Sequence, residues 1–353
     1  MQKWFALITP FLFLACTQKT EAVRRFAAGY TAIHITDSSR IYKPGTDTSD
    51  PLHYRPIDLD VWYPADTALV SAPLKVRDLF SLLETRANVY TGSNLGTGLT
   101  TQLAKLFCDA FQCSEPEQLL NYSTSSVKGA KPAAGQFPLV IYMTAYNGMS
   151  YENYLLFEAL AKKGYTVVSI SSVGRFPGDM TMKKEDLMEQ VGDAVIALRA
   201  LKGKVSFDPN SIGVVGYSWG GMAGAVFAKK VPSIKCLVSM EGSELHHYSS
   251  PANENEDFDG IMGMDLFRGP RLSIPYLRLE SAPAPSAPKD SVYPFYPAII
   301  DNADVRRIDS MKHEDFGCLS AVVRTAGNCT SSKHYTTALE MTVKFLDQHT
   351  RNN

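Results

Sequence analysis

The sequence has no excess of charge of either sign and no block of basic residues. Its 353 residues contain 35 lysines and arginines against 36 aspartates and glutamates, so the formal net charge is −1. Proteins whose main partner is nucleic acid usually carry a basic patch, and we therefore expect no such partner. Hydrophobic residues make up 45% and charged residues 20% of the chain. This balance excludes disordered, collagen-like and coiled-coil proteins and predicts a globular fold.

The sequence also lacks the cysteine and histidine spacing of a zinc site, so we predict no structural metal. It contains six cysteines. Cys108 and Cys113 are near neighbours, as are Cys318 and Cys329, and either pair could form a disulfide in an oxidising compartment. Cys236 lies within an apolar run and is expected to be a small core residue.

No apolar run reaches the roughly 20 residues that a membrane-spanning helix needs. The apolar stretch at residues 4–15 follows Lys3 and precedes Cys16, which indicates a secretory signal rather than a buried helix. Its last residues, Phe13–Cys16, resemble a bacterial lipobox, in which the cysteine is lipidated and becomes the mature N-terminus. Phe13 stands where leucine is usual, so cleavage by ordinary signal peptidase is an alternative. We predict an exported protein: a lipoprotein of the bacterial cell envelope, touching the membrane only through a lipid on Cys16, or otherwise a secreted protein.

Beyond residue 20 the sequence alternates between strand and helix patterns and has no internal repeat. Such alternation argues for an α/β fold with a mostly parallel sheet and helices on both faces. Residues 66–136 fit the rhythm poorly, and we expect them to be inserted over the sheet of a single domain at 20–350. Within the insertion, four apolar residues at helical spacing fit either a lid over the site or a helix packed on the domain: Leu103, Leu106, Phe107 and Phe111. The predicted elements are antiparallel strands within 20–65, later strands at 139–143, 166–171, 211–215, 235–240, 276–279 and 305–308, and helices at 102–112, 154–161, 184–202 and 335–349.

The sharpest motif is the run Gly216–Gly221, with the sequence GYSWGG. It follows an apolar strand and precedes a helix of small residues at 222–228. A G-x-S-x-G pattern in this setting is typical of a nucleophile elbow, a strained turn that exposes the serine hydroxyl. Side chains at Gly216 or Gly220 would collide with the neighbouring strand and helix. The motif predicts Ser218 as a nucleophile, the alternative being an accidental glycine-rich turn.

A serine nucleophile needs a base, and in this fold the chain order is serine, acid, histidine. The histidines at 246–247 come before two expected strands, and those at 334 and 349 belong to the closing helix and tail. His313 lies in the loop after the last predicted strand, from which an imidazole can reach the C-terminal edge of the sheet. We predict His313 as the base, the alternative being a solvated loop histidine.

Two glutamates are candidates for the acid that orients the histidine. Glu241 ends the strand after the nucleophile unit, and Glu280 ends the following strand. The later strand is the commoner location, but the acid there usually lies a few residues into the loop, where this chain has the Ala/Pro-rich run at 281–285. We favour Glu241 because a carboxylate at that strand end points into the catalytic edge. Glu280 is the alternative acid, and either residue could instead be a surface glutamate in a salt bridge.

Several stretches match one known family: Ile57–Pro64, Phe137–Tyr142, Leu160–Val168, Phe207–Gly221 and Lys312–Phe316. Through them, residues from about 55 to 320 resemble the platelet-activating-factor acetylhydrolase and dienelactone-hydrolase-like branch of the α/β-hydrolases. The resemblance implies an α/β-hydrolase fold and a serine esterase. The acetylhydrolase subgroup places its acid, normally an aspartate, where Glu241 stands. Its His-Gly oxyanion segment is replaced here by Ala145–Gly148, which leaves the identity of the ester open.

The implied mechanism is transfer of an acyl group to water. His313 takes the proton of Ser218 as Oγ attacks an ester carbonyl, and Glu241 holds the imidazole in its tautomer. The oxyanion would be held by the backbone N–H of Trp219 and a second N–H near Asn147, whose side chain could add a donor or simply form a turn. The partner is a small-molecule ester, and no metal or organic cofactor is required.

Two other functions stay open at this point. The elbow is also similar to that of prolyl-oligopeptidase-type serine peptidases, which usually carry a propeller, whereas this chain has no blade repeats. The second is a catalytically silent binding protein that retains the fold. The presence of both Ser218 and His313 argues against a silent protein, although a fold alone does not establish turnover.

Overall fold

The computed structural model describes residues 26–68, 71–91, 98–247, 252–281, 299–329 and 333–351. The predicted signal sequence with Cys16 and the Ala/Pro-rich residues 282–285 lie outside the described residues. Within these ranges, no helix is both long and apolar enough to cross a membrane.

Strands and helices alternate along the described chain from residue 139, as the sequence predicts. The strands are β1 (Ala27–Ile41), β2 (Tyr54–Ala65), β3 (Ser126–Lys128), β4 (Leu139–Met143), β5 (Thr166–Ile170), β6 (Ile212–Tyr217), β7 (Ile234–Met240), β8 (Tyr276–Ser281) and β9 (Asp304–Ile308). The helices are α1 (Val76–Thr91), α2 (Leu99–Phe111), α3 (Pro116–Asn121), α4 (Tyr154–Lys162), α5 (Lys184–Ala200), α6 (Trp219–Lys230), α7 (Ala252–Met262), α8 (Asp265–Arg268), α9 (Leu319–Ala326) and α10 (Lys333–Thr350). A short 3-10 helix, His313–Phe316, lies between β9 and α9.

The strands form one nine-stranded sheet with the order β3-β1-β2-β5-β4-β6-β7-β8-β9. Strand β2 runs antiparallel to β1 and β5. The strands that follow in the sheet, β5-β4-β6-β7-β8-β9, are parallel to one another. The carboxyl ends of those parallel strands therefore meet at one edge, where binding sites of such sheets form. The predicted fold class, a mostly parallel sheet with helices on both faces, is confirmed.

Both faces of the central strands are buried, which explains why the strands read as continuous apolar runs. Successive side chains of a strand point to opposite faces. Val140 and Tyr142 of β4 accordingly pack into one core cluster, with α1, α4 and α10. Leu139, Ile141 and Met143 pack into the other cluster, with α5 and α6.

The inserted segment 66–136 packs on the domain through its helices. Phe80 of α1, Ala104 of α2 and Leu119 of α3 are buried in the same core cluster as Tyr142. The expectation that the whole segment lies over the sheet is wrong in one respect. Strand β3, near the end of the segment, pairs in parallel with β1 and extends the edge of the sheet.

The disulfide joins Cys113 to Cys329, so neither pair of sequence neighbours is bonded. Cys108 faces the core from the last turn of α2, and Cys318 is buried at the start of α9; both are free thiols. Cys113 follows the left-handed C-cap of α2 and meets the end of α9, where the two Cα atoms lie 6.1 Å apart. Contacts between distant segments decided the pairing. Cys236 is a buried core residue, as predicted.

Candidate active site

Ser218 occupies the turn between β6 and α6 with a backbone conformation that L-residues rarely adopt. Its φ is 55° and its ψ is −121°. Such a conformation costs about 1–3 kcal/mol and persists only where surrounding structure enforces it. Here the Ser218 N–H donates to the Met240 carbonyl at 3.0 Å, and the Ser218 carbonyl accepts from the Gly221 N–H at 2.9 Å. These bonds fix the serine at the carboxyl edge of the sheet.

The tightness of the turn depends on glycine at two positions. A Cβ on Gly216 would lie 2.0 Å from the Gly220 carbonyl oxygen, and a Cβ on Gly220 would lie 2.0 Å from the Met143 carbonyl oxygen. Both obstacles are backbone atoms, so no side-chain movement can relieve them. Only glycine therefore fits at these two positions of the motif.

His313, the first residue of the 3-10 helix, reaches the serine from the loop after β9. Its Nε2 lies 3.0 Å from the Ser218 Oγ, within hydrogen-bond distance. Tyr217, the residue before the serine, contacts His313 in two ways. The Tyr217 hydroxyl donates to the His313 carbonyl at 3.0 Å, and the two ring centroids are 5.3 Å apart. The structure thus brings together the two residues predicted as nucleophile and base.

The surroundings of His313 favour its neutral form. Although the residue lies at the surface, desolvation by the neighbouring protein lowers its pKa below the usual 6.5, while the charges of Glu241 and Glu314 act in the opposite direction. A positive charge on His246 would lower the pKa further. His246, set aside as a base because of its place in the chain, is therefore an electrostatic neighbour of His313. A neutral imidazole at neutral pH can accept a proton.

Glu241 follows β7 directly, with a positive φ of 46°. Both oxygens of its carboxylate accept hydrogen bonds from Ser281, one from the backbone N–H and one from the hydroxyl at 2.8 Å. Within the described residues, no hydrogen bond or ion pair joins Glu241 to His313, so the glutamate acts on the imidazole through its charge. Sequence reasoning missed Ser281, because a serine at a strand end carries no signal of such a contact.

Glu280, the alternative acid, is buried between basic side chains. It forms an ion pair with Arg278, and its Oε2 lies 3.8 Å from the Nε of Arg307. Arg278 is also bonded to Glu244 at 2.8 Å. The position of Glu280 thus fits the salt-bridge role considered for it, and Glu241 is the acid that the geometry favours.

Trp219 is the first residue of α6, so its backbone N–H belongs to the positive end of a helix. The Tyr146 ring faces the Trp219 ring, with centroids 6.3 Å apart. The backbone N–H groups of Tyr146 and Asn147 donate to no described residue. The Asn147 side chain is directed elsewhere, because its Oδ1 accepts the Met180 N–H at 2.9 Å. With a φ of 50°, Asn147 has the geometry of a turn residue.

The turn at residues 145–148 also borders a cavity of about 260 Å³. Helix α1 forms the opposite wall, so part of the insertion shapes this space. Its lining mixes apolar and aromatic side chains with polar ones, such as Arg86 and Asp179, and includes neither Ser218 nor His313. Lining residues include Leu83, Ala87 and Tyr90 of α1, together with Gly148, Met149 and Tyr151.

Comparison with known proteins gives a family model that matches part of the chain and solved structures that match nearly all of it. A family model described as X-Pro dipeptidyl-peptidase (S15 family) matches residues 128–261, which include Ser218 and Glu241 but not His313. The structure of ferulic acid esterase from Streptomyces cinnamoneus is similar, with a TM-score of 0.59 and 16% identity, over 95% of this chain and 93% of that one. No curated protein sequence matches significantly. The structural likeness shows that the chain has the α/β-hydrolase fold.

Proposed function

We propose that this protein is a serine hydrolase that cleaves carboxylic esters through an acyl-enzyme. The observation that carries the proposal is the 3.0 Å contact between His313 Nε2 and Ser218 Oγ on a strained elbow. A base at hydrogen-bond distance is what activates a serine hydroxyl. The fold shared with a ferulic acid esterase is consistent with this chemistry.

The reaction follows from the placement of these groups. His313 takes the hydroxyl proton as Ser218 Oγ forms a bond to the ester carbonyl carbon, and the carbonyl oxygen becomes an oxyanion. The backbone N–H of Trp219 and one from the Tyr146–Asn147 turn stabilise that oxyanion. The imidazolium then protonates the departing alcohol. Water, deprotonated by His313, attacks the acyl-enzyme, and His313 returns that proton to Ser218 Oγ as the acid leaves. The charge of Glu241 stabilises the imidazolium in both steps.

We infer that the cavity bordered by the turn at residues 145–148, which Ser218 and His313 do not line, receives a compact acyl group. Its volume of about 260 Å³ suits a short chain or a single ring better than a long fatty chain. Tyr90 and Tyr151 give two of its walls aromatic character. This inference is compatible with the acetylhydrolase-like branch, although the Ala145–Gly148 turn differs from that subgroup's His-Gly segment.

A serine peptidase is the second candidate, and the match to the S15 family model favours it. A single panel separates the two functions: p-nitrophenyl acetate, a long-chain p-nitrophenyl ester, a phospholipid and an X-Pro p-nitroanilide. We expect the wild type to hydrolyse the short ester and, more weakly, the long one. Ser218→Ala should retain only the residual ~10³–10⁴-fold catalysis over water that the oxyanion hole and substrate binding supply. Faster cleavage of the X-Pro anilide than of every ester would instead establish the peptidase.

We further propose that the protein is exported and anchored by a lipid on Cys16. The lipobox-like Phe13–Cys16 supports the anchor, and the Cys113–Cys329 disulfide supports an oxidising compartment. Mass spectrometry of the mature N-terminus tests this directly. We expect an acylated Cys16 and partitioning into detergent, since two or more chains anchor a protein stably. An unmodified N-terminus downstream of Cys16 would contradict the anchor but not export.

A further inference from the structure

A buried carboxyl group lies against the turn at residues 145–148. Glu152, in the loop before α4, is 6% exposed. Its Oε1 accepts the Ala145 N–H at 2.9 Å and the Tyr142 hydroxyl at 3.0 Å. Its Oε2 lies against the same turn, because a Cβ on Gly148 would be only 2.6 Å away. The Glu152 side chain therefore contacts the turn at residues 145–148 from its buried side.

The next residue, Asn153, connects this carboxylate to the histidine loop. Its Nδ2 donates to the Phe316 carbonyl at 3.0 Å and to the Tyr142 hydroxyl at 2.8 Å. Its Oδ1 accepts the Tyr335 hydroxyl at 2.8 Å. Phe316 ends the 3-10 helix that His313 begins. Glu152 and Asn153 thus contact the turn at residues 145–148, which we call the oxyanion turn, and the loop that carries His313. The two side chains share the Tyr142 hydroxyl.

This pair is costly to bury. Among the described residues, no basic side chain forms an ion pair with Glu152, and burial raises its pKa to about 8. Asn153 stands at the N-cap of α4 but makes no side-chain capping bond, because its amide is used in the network. Burying a carboxyl group that has no ion-pair partner costs folding free energy. A role in the site gives a reason for retaining it.

We propose that Glu152 and Asn153 are positioning residues for the hydrolytic reaction: Glu152 fixes the backbone N–H groups of the oxyanion turn, and Asn153 fixes the loop that carries His313. The inference rests on the proposed serine-hydrolase function. Oxyanion donors act only when they are held in place before charge develops. Neither residue touches the substrate, so their loss should weaken the transition state more than the bound ester.

The test compares Glu152→Leu with Glu158→Leu, a matched control, because glutamine would keep an oxygen able to accept both bonds of Glu152. Glu158 lies on the same stretch of chain and is equally buried, and its carboxylate accepts a backbone N–H from Ser125 and a hydroxyl from Ser126, away from the oxyanion turn. We would measure kcat and KM for p-nitrophenyl acetate, Ki for a methyl trifluoromethyl ketone, and the melting temperature. The ketone forms a tetrahedral adduct with the serine and so reports on the oxyanion site.

For Glu152→Leu we expect kcat to fall by about 10²-fold with KM nearly unchanged, in the range reported for loss of an oxyanion donor. The Ki of the ketone should rise by a similar factor. Glu158→Leu should lower the melting temperature and leave kcat and Ki as in the wild type. Tyr142→Phe, which removes only the shared hydroxyl, should show the same selective loss to a smaller extent and serves if Glu152→Leu does not fold.

Asn153→Ala should slow labelling of Ser218 by a fluorophosphonate, since a displaced His313 activates the serine less. Wild-type kcat and Ki in Glu152→Leu, or equal losses in Glu152→Leu and Glu158→Leu, would overturn the positioning role. Failure of the wild type to hydrolyse the ester, or full activity of Ser218→Ala, would instead overturn the proposed function. The two failures are therefore distinguishable.

Discussion

At the scale of single residues, Glu241, the acid that we propose for the site, is hydrogen-bonded to Ser281 and not to His313. Ser281 supplies two hydrogen bonds to Glu241, while Glu280 is occupied by Arg278. The charge of Glu241 still raises the pKa of His313. The two glutamates at adjacent strand ends thus have different surroundings. We assign Glu241 to the site and Glu280 to a salt bridge.

Glu241→Gln should lower kcat, by less than the roughly 10⁴-fold known when an acid hydrogen-bonded to the histidine becomes an amide, because here only the charge acting on His313 is lost. Glu280→Gln should leave kcat within a few-fold and lower the melting temperature, because the buried Arg278 loses one of its two carboxylate partners and keeps Glu244. Steady-state kinetics and thermal melts of both variants check this. A crippled Glu280→Gln beside a nearly normal Glu241→Gln would transfer the acid role to Glu280.

The pH dependence of kcat/KM should report the lowered pKa of His313. Because burial disfavours the imidazolium, the imidazole stays neutral to a lower pH than a free histidine. Activity should therefore rise with pH through a midpoint below 6.5 and be level at neutral pH. Glu241→Gln removes a charge that raises this pKa, so the midpoint of its residual activity should move lower. A midpoint above 6.5 in the wild type would contradict the effect of burial.

At the scale of elements, the sequence was sufficient wherever local pattern decides structure. The buried run Leu139–Met143 is a strand with the predicted bounds, and the helix predicted at 154–161 spans Tyr154–Lys162. Contacts between distant segments were not predictable in the same way. Strand β3 pairs with a strand about a hundred residues earlier, and Cys113 pairs across 216 residues. Asn153 was overlooked because an asparagine before a helix ordinarily indicates a cap.

The Cys113–Cys329 disulfide should stabilise the contact between the end of α2 and α9. A bridge that closes so long a loop typically contributes about 2–4 kcal/mol, mainly by constraining the unfolded chain. Reduction should therefore lower the melting temperature of the wild type. A Cys113→Ser/Cys329→Ser double variant should melt at the lower temperature and not respond to reductant. A wild-type melting temperature that does not change on reduction would contradict this role.

At the scale of the whole molecule, the parallel sheet gathers residues that are far apart in the chain. Ser218 follows β6, Glu241 follows β7, and His313 follows β9, all at the carboxyl edge. The order of these elements made the nucleophile and base predictable, because the fold fixes where each crossover ends. The substrate was not predictable, since the cavity walls come from α1 and from loops whose packing depends on the complete fold.

Mass spectrometry of a trapped adduct tests the hydrolytic mechanism most directly. The protein would be treated with a fluorophosphonate, which reacts with serines activated by a base, and the labelled peptide would be mapped. We predict a single adduct on Ser218 in the wild type, strongly slowed labelling in His313→Ala, and no labelling in Ser218→Ala. An adduct on another serine, or labelling at full rate without His313, would contradict the mechanism.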